Sequence, residues 1–412
     1  MRFILQKVLK VLSKAVIRKY KPTVIGITGS VGKTSTKEAI FSVLRDKFNV
    51  RASDASFNNE IGFPMAILGL KRPGRLVWFY NLFKALKLVL MKDRNYPEIL
   101  VLEMGADKPG DIDYLVDIAP PKISVITGVG EIPVHVEYYS GPEEVAKEKS
   151  KLVSALSPNG LAILNHDDWT VFDMKDLNRG KTLTFGFDQH ADIKASDMRY
   201  FFEEDGEARA GISFKLNYEG KSVPFRLVGA LGKHQIYAAL AAAAVGIHFG
   251  MNLIDISEAL EKMEFPKQRM KLVKGIRDSW IIDDTYNASP LSTQAALETL
   301  SEFGNKVIGQ KGKGRKIAVL GDMRELGIFT EKAHRLIGNL AGEKTEYLFT
   351  VGPAAKFIAD SAFNQLPKEN IRTFDSSDET GEWLKDFVQE SDVVLVKGSR
   401  AMEMEKIVEI LT

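Results

Sequence analysis

The chain reads as an α/β protein in which a central domain and a C-terminal domain each carry a mostly parallel sheet, preceded by a short basic helix. Three observations carry this reading. From Thr23 onward, β-branched runs alternate with helical patterns, the rhythm of strands joined by crossover helices. That rhythm gives way to short alternating segments between about Ile193 and Val228, then starts afresh near Phe265 and Pro266. A glycine-rich loop also lies between the first strand and the helix that follows it.

In chain order, residues 1–21 form a basic amphipathic helix, with Lys7, Lys10, Lys14, Arg18 and Lys21 on one face and Leu5, Leu9, Leu12 and Val16 on another. An export signal would need an uninterrupted apolar run and a small-residue cleavage site, and neither is present. Lacking any acidic residue, the segment fits an anionic membrane surface or the protein's own body. The central domain spans 22–265, with strands expected at Thr23–Ile27, Ile99–Glu103, Ile123–Ile126 and Leu161–Leu164. Antiparallel strands follow over about Ile193–Val228, then an alanine-rich helix from about Lys233 to Phe249. The C-terminal domain spans 266–412, with strands at Trp280–Asp283, Lys316–Leu320, Tyr347–Val351 and Val393–Lys397. Leu76–Met91 is apolar but too short to cross a bilayer and is interrupted by Lys84 and Lys87. Flanked by Arg72, Arg75, Lys92 and Arg94, it fits a buried helix or an interfacial, partner-binding one.

Bulk composition narrows the function. A chain of 412 residues has room for two or three cores. A net charge of +2 does not argue for nucleic acid as the partner. With no cysteine, disulfides and thiolate metal sites are excluded.

The strongest chemical signal is the loop Gly26-Ile27-Thr28-Gly29-Ser30-Val31-Gly32-Lys33-Thr34-Ser35. Glycines let several backbone N–H groups of Gly29, Ser30, Val31, Gly32 and their neighbours turn toward a phosphate. Lys33 supplies positive charge to the outer phosphates, and Thr34 a hydroxyl to Mg²⁺. The strict phosphate-loop pattern has a glycine where this chain has Ile27, but the strand–loop–helix setting supports ATP binding. A need for ATP places the protein in the cytoplasm.

This TGSVGKT form resembles the loop of the Mur ligases, and the motifs after it fall in that family's order. Ser56–Pro64, with its paired Asn58 and Asn59, resembles a segment of the MurF branch. Leu102–Ala106 resembles the strand-end glutamate, Gly130–Glu137 the histidine loop, and Val145–Lys149 the lysine helix. Asp283–Ala288, Leu320–Gly327 and Val396–Arg400 are similar to the MurF strings DDSYNA, LGDMxELG and VKGSR. The resemblance covers residues 23–412. It implies a phosphate-loop ATPase domain plus a Rossmann-like C-terminal domain. It also implies a reaction in which ATP activates a carboxylate as an acyl phosphate and an amine then forms an amide. The partners implied are a muropeptide or other small-molecule acyl substrate and a D-alanyl-D-alanine-like amine.

By the same resemblance, Thr34, Glu103, His135 and Lys149 hold the metal, Lys149 as a carbamate. Lys33, Glu103, His135, Lys149 and Arg269 are the catalytic set. Arg269 and Asp284 contact the nucleotide, with Asn165 and Asp167 nearby. Asn58, Asn59, Asp322, Ser399 and Arg400 serve the acyl and amine partners. Read without the resemblance, Lys149 is also compatible with a solvated helix lysine beside Lys147 and Lys151. Three departures stand out. The chain enters the phosphate loop without the UDP-sugar domain usual before it. Gln235 and Ala238 replace asparagines expected at the adenine, and the histidine loop carries two extra residues near Ile132-Pro133. Two further readings therefore remain: a ligase of the same chemistry on a folate, polyamino-acid or lipid-linked acceptor, and a nucleotide-binding scaffold without catalysis.

Overall fold

Strands form where β-branched and aliphatic residues run together, and the parallel ones are buried on both faces. The computed structural model describes all residues except 1, 55–56, 58, 71–76 and 204–208, and no side chains at 2–4 or 77–79. The first sheet contains β1 (Thr23–Thr28), β2 (Val50–Ala52), β3 (Ile99–Glu103), β4 (Ile123–Ile126), β5 (Leu161–Asn165), β6 (Lys181–Gly186), β7 (Ile193–Glu203), β8 (Arg209–Tyr218) and β9 (Lys221–Val228). Its order is β2-β3-β1-β4-β5-β6-β7-β8-β9, parallel through β7 and antiparallel beyond. β1 therefore lies between β3 and β4, so successive connections leave it in opposite directions. The crevice that ligands use in such sheets opens at the carboxyl ends of these three strands.

Helices cover both faces. One side carries α2 (Lys33–Leu44) and the helices Lys233–His248 and Leu253–Glu261, packed through Ile40, Val43, Leu240 and Ile256. The other carries α1 (Arg2–Tyr20), α3 (Gly62–Leu68), α4 (Val77–Leu90), α5 (Asp111–Ile118) and α6 (Pro142–Ser154). The second sheet contains β10 (Lys271–Lys274), β11 (Trp280–Asp284), β12 (Lys316–Gly321), β13 (Tyr347–Val351), β14 (Ile371–Phe374) and β15 (Val393–Lys397), in the order β10-β11-β15-β12-β13-β14. Only β10 runs antiparallel to its neighbour.

The two sheets share a core. Ile132, Val136, Val145 and Phe202 from the first half join Trp280, Leu297 and Phe303 from the second in one cluster. Phe202 meets the Trp280 ring edge-on at 5.0 Å.

Every strand predicted from sequence is present, to within one residue at its end. β2, β6, β10 and β14 were not predicted. Three of these are short edge or near-edge strands of three or four residues, and β6 mixes lysine and threonine with few large aliphatics. α1 lies on the protein's own body, burying Leu9, Leu12 and Val16. Lys10 and Lys14 reach Asp117 of α5 at 2.8 and 2.7 Å, which holds its carboxyl down at about 2. The reading of Leu76–Met91 as a buried helix holds for one face only. Asn81, Ala85 and Leu88 of α4 are buried, whereas Tyr80, Phe83 and Leu90 are exposed. Arg72, Arg75 and Leu76 lie outside the described residues.

Candidate active site

The phosphate loop forms because β1 ends against β4 and the chain must reverse into α2 within four residues. Gly29 sits at φ +147°, where a Cβ would fall 2.1 Å from Thr127 Oγ1, so no side chain fits. Gly32, at φ +80°, is left-handed as well. Ser30 N donates to Gly128 O at 2.6 Å, and Thr127 Oγ1 donates to Val31 O at 2.5 Å, which fastens the loop to the end of β4. Lys33 folds over the loop and donates to Gly29 O at 2.8 Å. Burial, and secondarily the Arg269 guanidinium, lower its pKa, partly offset by Glu103.

Parallel register sets Glu103 of β3 opposite Ile27 of β1, one turn from the loop. Thr34 Oγ1 donates to Glu103 Oε2 at 3.1 Å and accepts from Arg269 Nη2 at 3.2 Å. A hydroxyl at the head of α2 is thus held between a carboxylate from the same domain and a guanidinium from the other. Arg269 gets there because Gln268 and Met270, on either side of it, take left-handed backbone conformations that cost about a kilocalorie each. Its guanidinium stacks over Tyr286 at 4.0 Å, and Gln235 Nε2 donates to its carbonyl at 3.4 Å.

Lys149 is the most unusual group. α6 places it in the interior at 1 % exposure, and burial followed by the positive charge of Lys33 brings its pKa down to about 7. A large part of it is therefore the neutral amine near neutrality. This environment differs from that of the solvated Lys147. Asp107, which the sequence reading did not single out, interacts electrostatically with both Lys33 and Lys149 and lies 3.4 Å from His135 Nε2. His135 is left-handed at φ +67°, and its Nδ1 lies 2.7 Å from Glu325 Oε2 of the second domain, holding that carboxyl below its usual range. The histidine loop thereby touches the second domain beside Gly327, whose Cβ would meet Glu137 at 3.0 Å.

Other predicted residues hold the surrounding frame. Asn165 donates to Thr127 O at 2.8 Å, joining the ends of β4 and β5. Asp167 accepts from Phe187 N, Asp188 N and the Tyr237 hydroxyl. Asp284 pairs with its strand neighbour Lys397 at 2.5 Å, a buried contact that engages one carboxylate oxygen. Asn59 accepts from Ile61 N and Gly62 N ahead of α3, while Asn58 lies outside the described residues. At the carboxyl ends of the adjacent strands β12 and β15, Asp322 accepts from Ala355 N and Ser399 N donates to Asp322 O. Arg400 is exposed and paired with Glu405 at 2.8 Å. Sequence reasoning missed Asp107, Tyr286 and Glu325. The first follows Glu103 by four positions, directly after its motif, and the other two lie inside the DDTYNA and LGDMRELG strings, so position relative to a motif was the available signal.

A phosphate loop whose threonine hydroxyl lies between a strand-end glutamate and an arginine from a second α/β domain is the arrangement of an ATP-dependent ligase. Residues 27–246 match the Mur ligase middle domain and residues 268–400 the Mur ligase glutamate ligase domain. The chain belongs to the Mur ligase family and is an ATP-dependent amide ligase. It is 30% identical over 404 residues to the UDP-N-acetylmuramoyl-tripeptide–D-alanyl-D-alanine ligase of Bacillus subtilis, covering 98% of this chain and 79% of that one. Solved MurF structures from Acinetobacter baumannii and, in complex with ADP, from Thermotoga maritima superpose with TM-scores of 0.79 at 26% identity. Each covers 98% of this chain, which spans 80% and 83% of theirs respectively.

Proposed function

We propose that this chain joins the carboxylate of a muramoyl tripeptide to D-alanyl-D-alanine, using ATP, as a cytoplasmic step of peptidoglycan synthesis. The observation that carries the reading is the Thr34 hydroxyl held between Glu103 and Arg269 beside Lys33 and Lys149, in a chain similar to MurF ligases along nearly its whole length. In the proposed reaction a carboxylate oxygen attacks the γ-phosphorus and ADP leaves; the amine then attacks the acyl carbon and phosphate leaves. Lys33 and Arg269 lower the repulsion between the two anions and stabilise charge on the transferring oxygens. The loop N–H groups orient the phosphates. Arg269 arrives from beyond the domain junction, so closing the domains completes the site.

Mg²⁺ fits these residues. Thr34 and Glu103 offer hard oxygen donors 3.1 Å apart at the head of the loop, with His135 and Asp107 on the neighbouring wall. Among the described residues no group of three histidine or acidic side chains is placed to hold a metal ion by itself. A carbamate on Lys149 would supply further oxygens, and a buried lysine with a lowered pKa offers the neutral amine that takes up carbon dioxide. When bound, the metal neutralises phosphate charge and polarises the transferring group. Asp322, Ser399 and Arg400 border the amine site, and Asp284 the ribose.

Phosphate release with UDP-muramoyl tripeptide and D-alanyl-D-alanine, each omitted in turn, tests the reading. Release that needs both substrates and disappears in Lys33→Ala supports it. A preparation that binds ATP yet releases no phosphate with this pair overturns the substrate assignment.

A further inference from the structure

The net charge of +2 conceals a strong segregation. Residues 1–21 and 71–94 together hold fourteen lysines and arginines against one acidic residue, Asp93, leaving 42 basic and 53 acidic residues in the rest of the chain. The helices of the two segments, α1 and α4, meet in the fold. α1 and α4 pack side by side, and Leu9, Leu12 and Val16 of one share a core with Ala85 and Leu88 of the other. Their outer faces consequently both point away from that core.

The outer face of α4 is apolar where a water-facing helix would be polar. Tyr80, Phe83, Leu86 and Leu90 are exposed, Phe83 at 68 % and Leu90 at 79 %, as are Met91 just past the helix end and Val11 of α1, the latter at 66 %. Lys87, Lys92 and Arg94 are exposed among them, with Arg18 on α1. Single exposed apolar residues need no explanation, but a run of them along one helix marks an interaction surface. The face is also held in place. Lys19 Nζ donates to Leu88 O and Val89 O at 3.1 and 2.8 Å, and the Tyr20 hydroxyl donates to Met91 O at 3.0 Å, so α1 caps the end of α4. Among the described residues no helix is long and apolar enough to cross a bilayer.

We propose that the outer face of α1 and α4 docks the protein on an anionic lipid bilayer, with Phe83 and Leu90 entering the headgroup boundary. Apolar side chains interleaved with basic ones match a surface that is negative outside and apolar beneath. The acidic remainder of the chain is repelled by the same surface, which sets the orientation. This inference stands on the surface alone and is independent of the substrates proposed above.

Flotation of the full chain with vesicles tests it. Binding is expected to vesicles of phosphatidylcholine mixed with phosphatidylglycerol, to weaken as salt rises, and to be absent with phosphatidylcholine alone. Lys87→Glu with Lys92→Glu should weaken binding by about five-fold or more per charge at low salt. Phe83→Asp with Leu90→Asp should abolish it. Both variants should keep their thermal midpoint and ATP binding, since these side chains lie in solvent. Failure of the unaltered chain to float with anionic vesicles, or equal flotation of the variants, overturns the proposal. So does a concentration-dependent dimer in lipid-free sedimentation that Phe83→Asp with Leu90→Asp dissolves, because the face would then belong to a second copy.

Discussion

At the scale of single residues, the site depends on two basic side chains, Arg269 held in tight contact and Lys149 kept out of water. Arg269 touches Thr34 from the other domain, and its planar fork stacks on Tyr286, a geometry lysine cannot reproduce. Arg269→Ala should lower kcat by about 10²-fold, with Arg269→Lys recovering little of it, as steady-state phosphate release will show. Lys149 carries a pH signature. Its folded pKa of about 7 lies below the ordinary lysine value of 10.5, so between those values the unfolded chain binds a proton that the folded chain does not. Its contribution to stability therefore rises as pH climbs from 7 toward 10.5 and is flat below 7. In bicarbonate-free buffer, Lys149→Met should flatten that rise in urea melts taken across the range. If the amine takes up carbon dioxide, ¹³C-bicarbonate should give a carbamate resonance in the unaltered protein that is missing from the same variant.

At the scale of elements, the sequence was informative where a polar face alternates with an apolar stripe. The 3.6-residue period of Leu9, Leu12 and Val16 gave the helix and its buried stripe, and the structure buries those side chains. Leu9→Ala should destabilise by about 2–3 kcal/mol in a urea melt, the usual consequence of removing a buried leucine side chain. The period could not say what α1 covers, because a stripe fits its own domain or a membrane equally well. α4 shows the converse. An apolar segment reads the same whether one face is buried or both, so its exposed outer face became visible only once its neighbours were placed. The short strands β2, β10 and β14 were missed because three or four residues at a sheet edge carry too little pattern to register.

Across the whole molecule, the two α/β halves close on one another through apolar packing and a few polar bridges. Gly130, at φ +75°, lies where a Cβ would come 3.2 Å from Leu291 of the second domain. Gly130→Val should strain the loop and push the halves apart. A larger radius of gyration by small-angle scattering and a fall in kcat are expected, while ATP affinity stays within a few-fold because Gly29–Ser35 of the phosphate loop are unchanged.

The sequence by itself determined the parallel strands, the phosphate loop and the order of the motifs, because these depend on local periodicity and on residue types at fixed spacing. It also contained Lys33, Thr34, Glu103 and Lys149, each inside a string with a chemical meaning. Only the tertiary structure decided that Arg269, 235 residues away in sequence, meets Thr34, that Asp107 interacts with both Lys33 and Lys149, and that His135 faces Glu325. It also decided the surroundings of Lys149. A lysine among other lysines on an amphipathic helix has no distinguishing pattern, and its depressed pKa arises from the burial and the neighbouring charge that folding imposes.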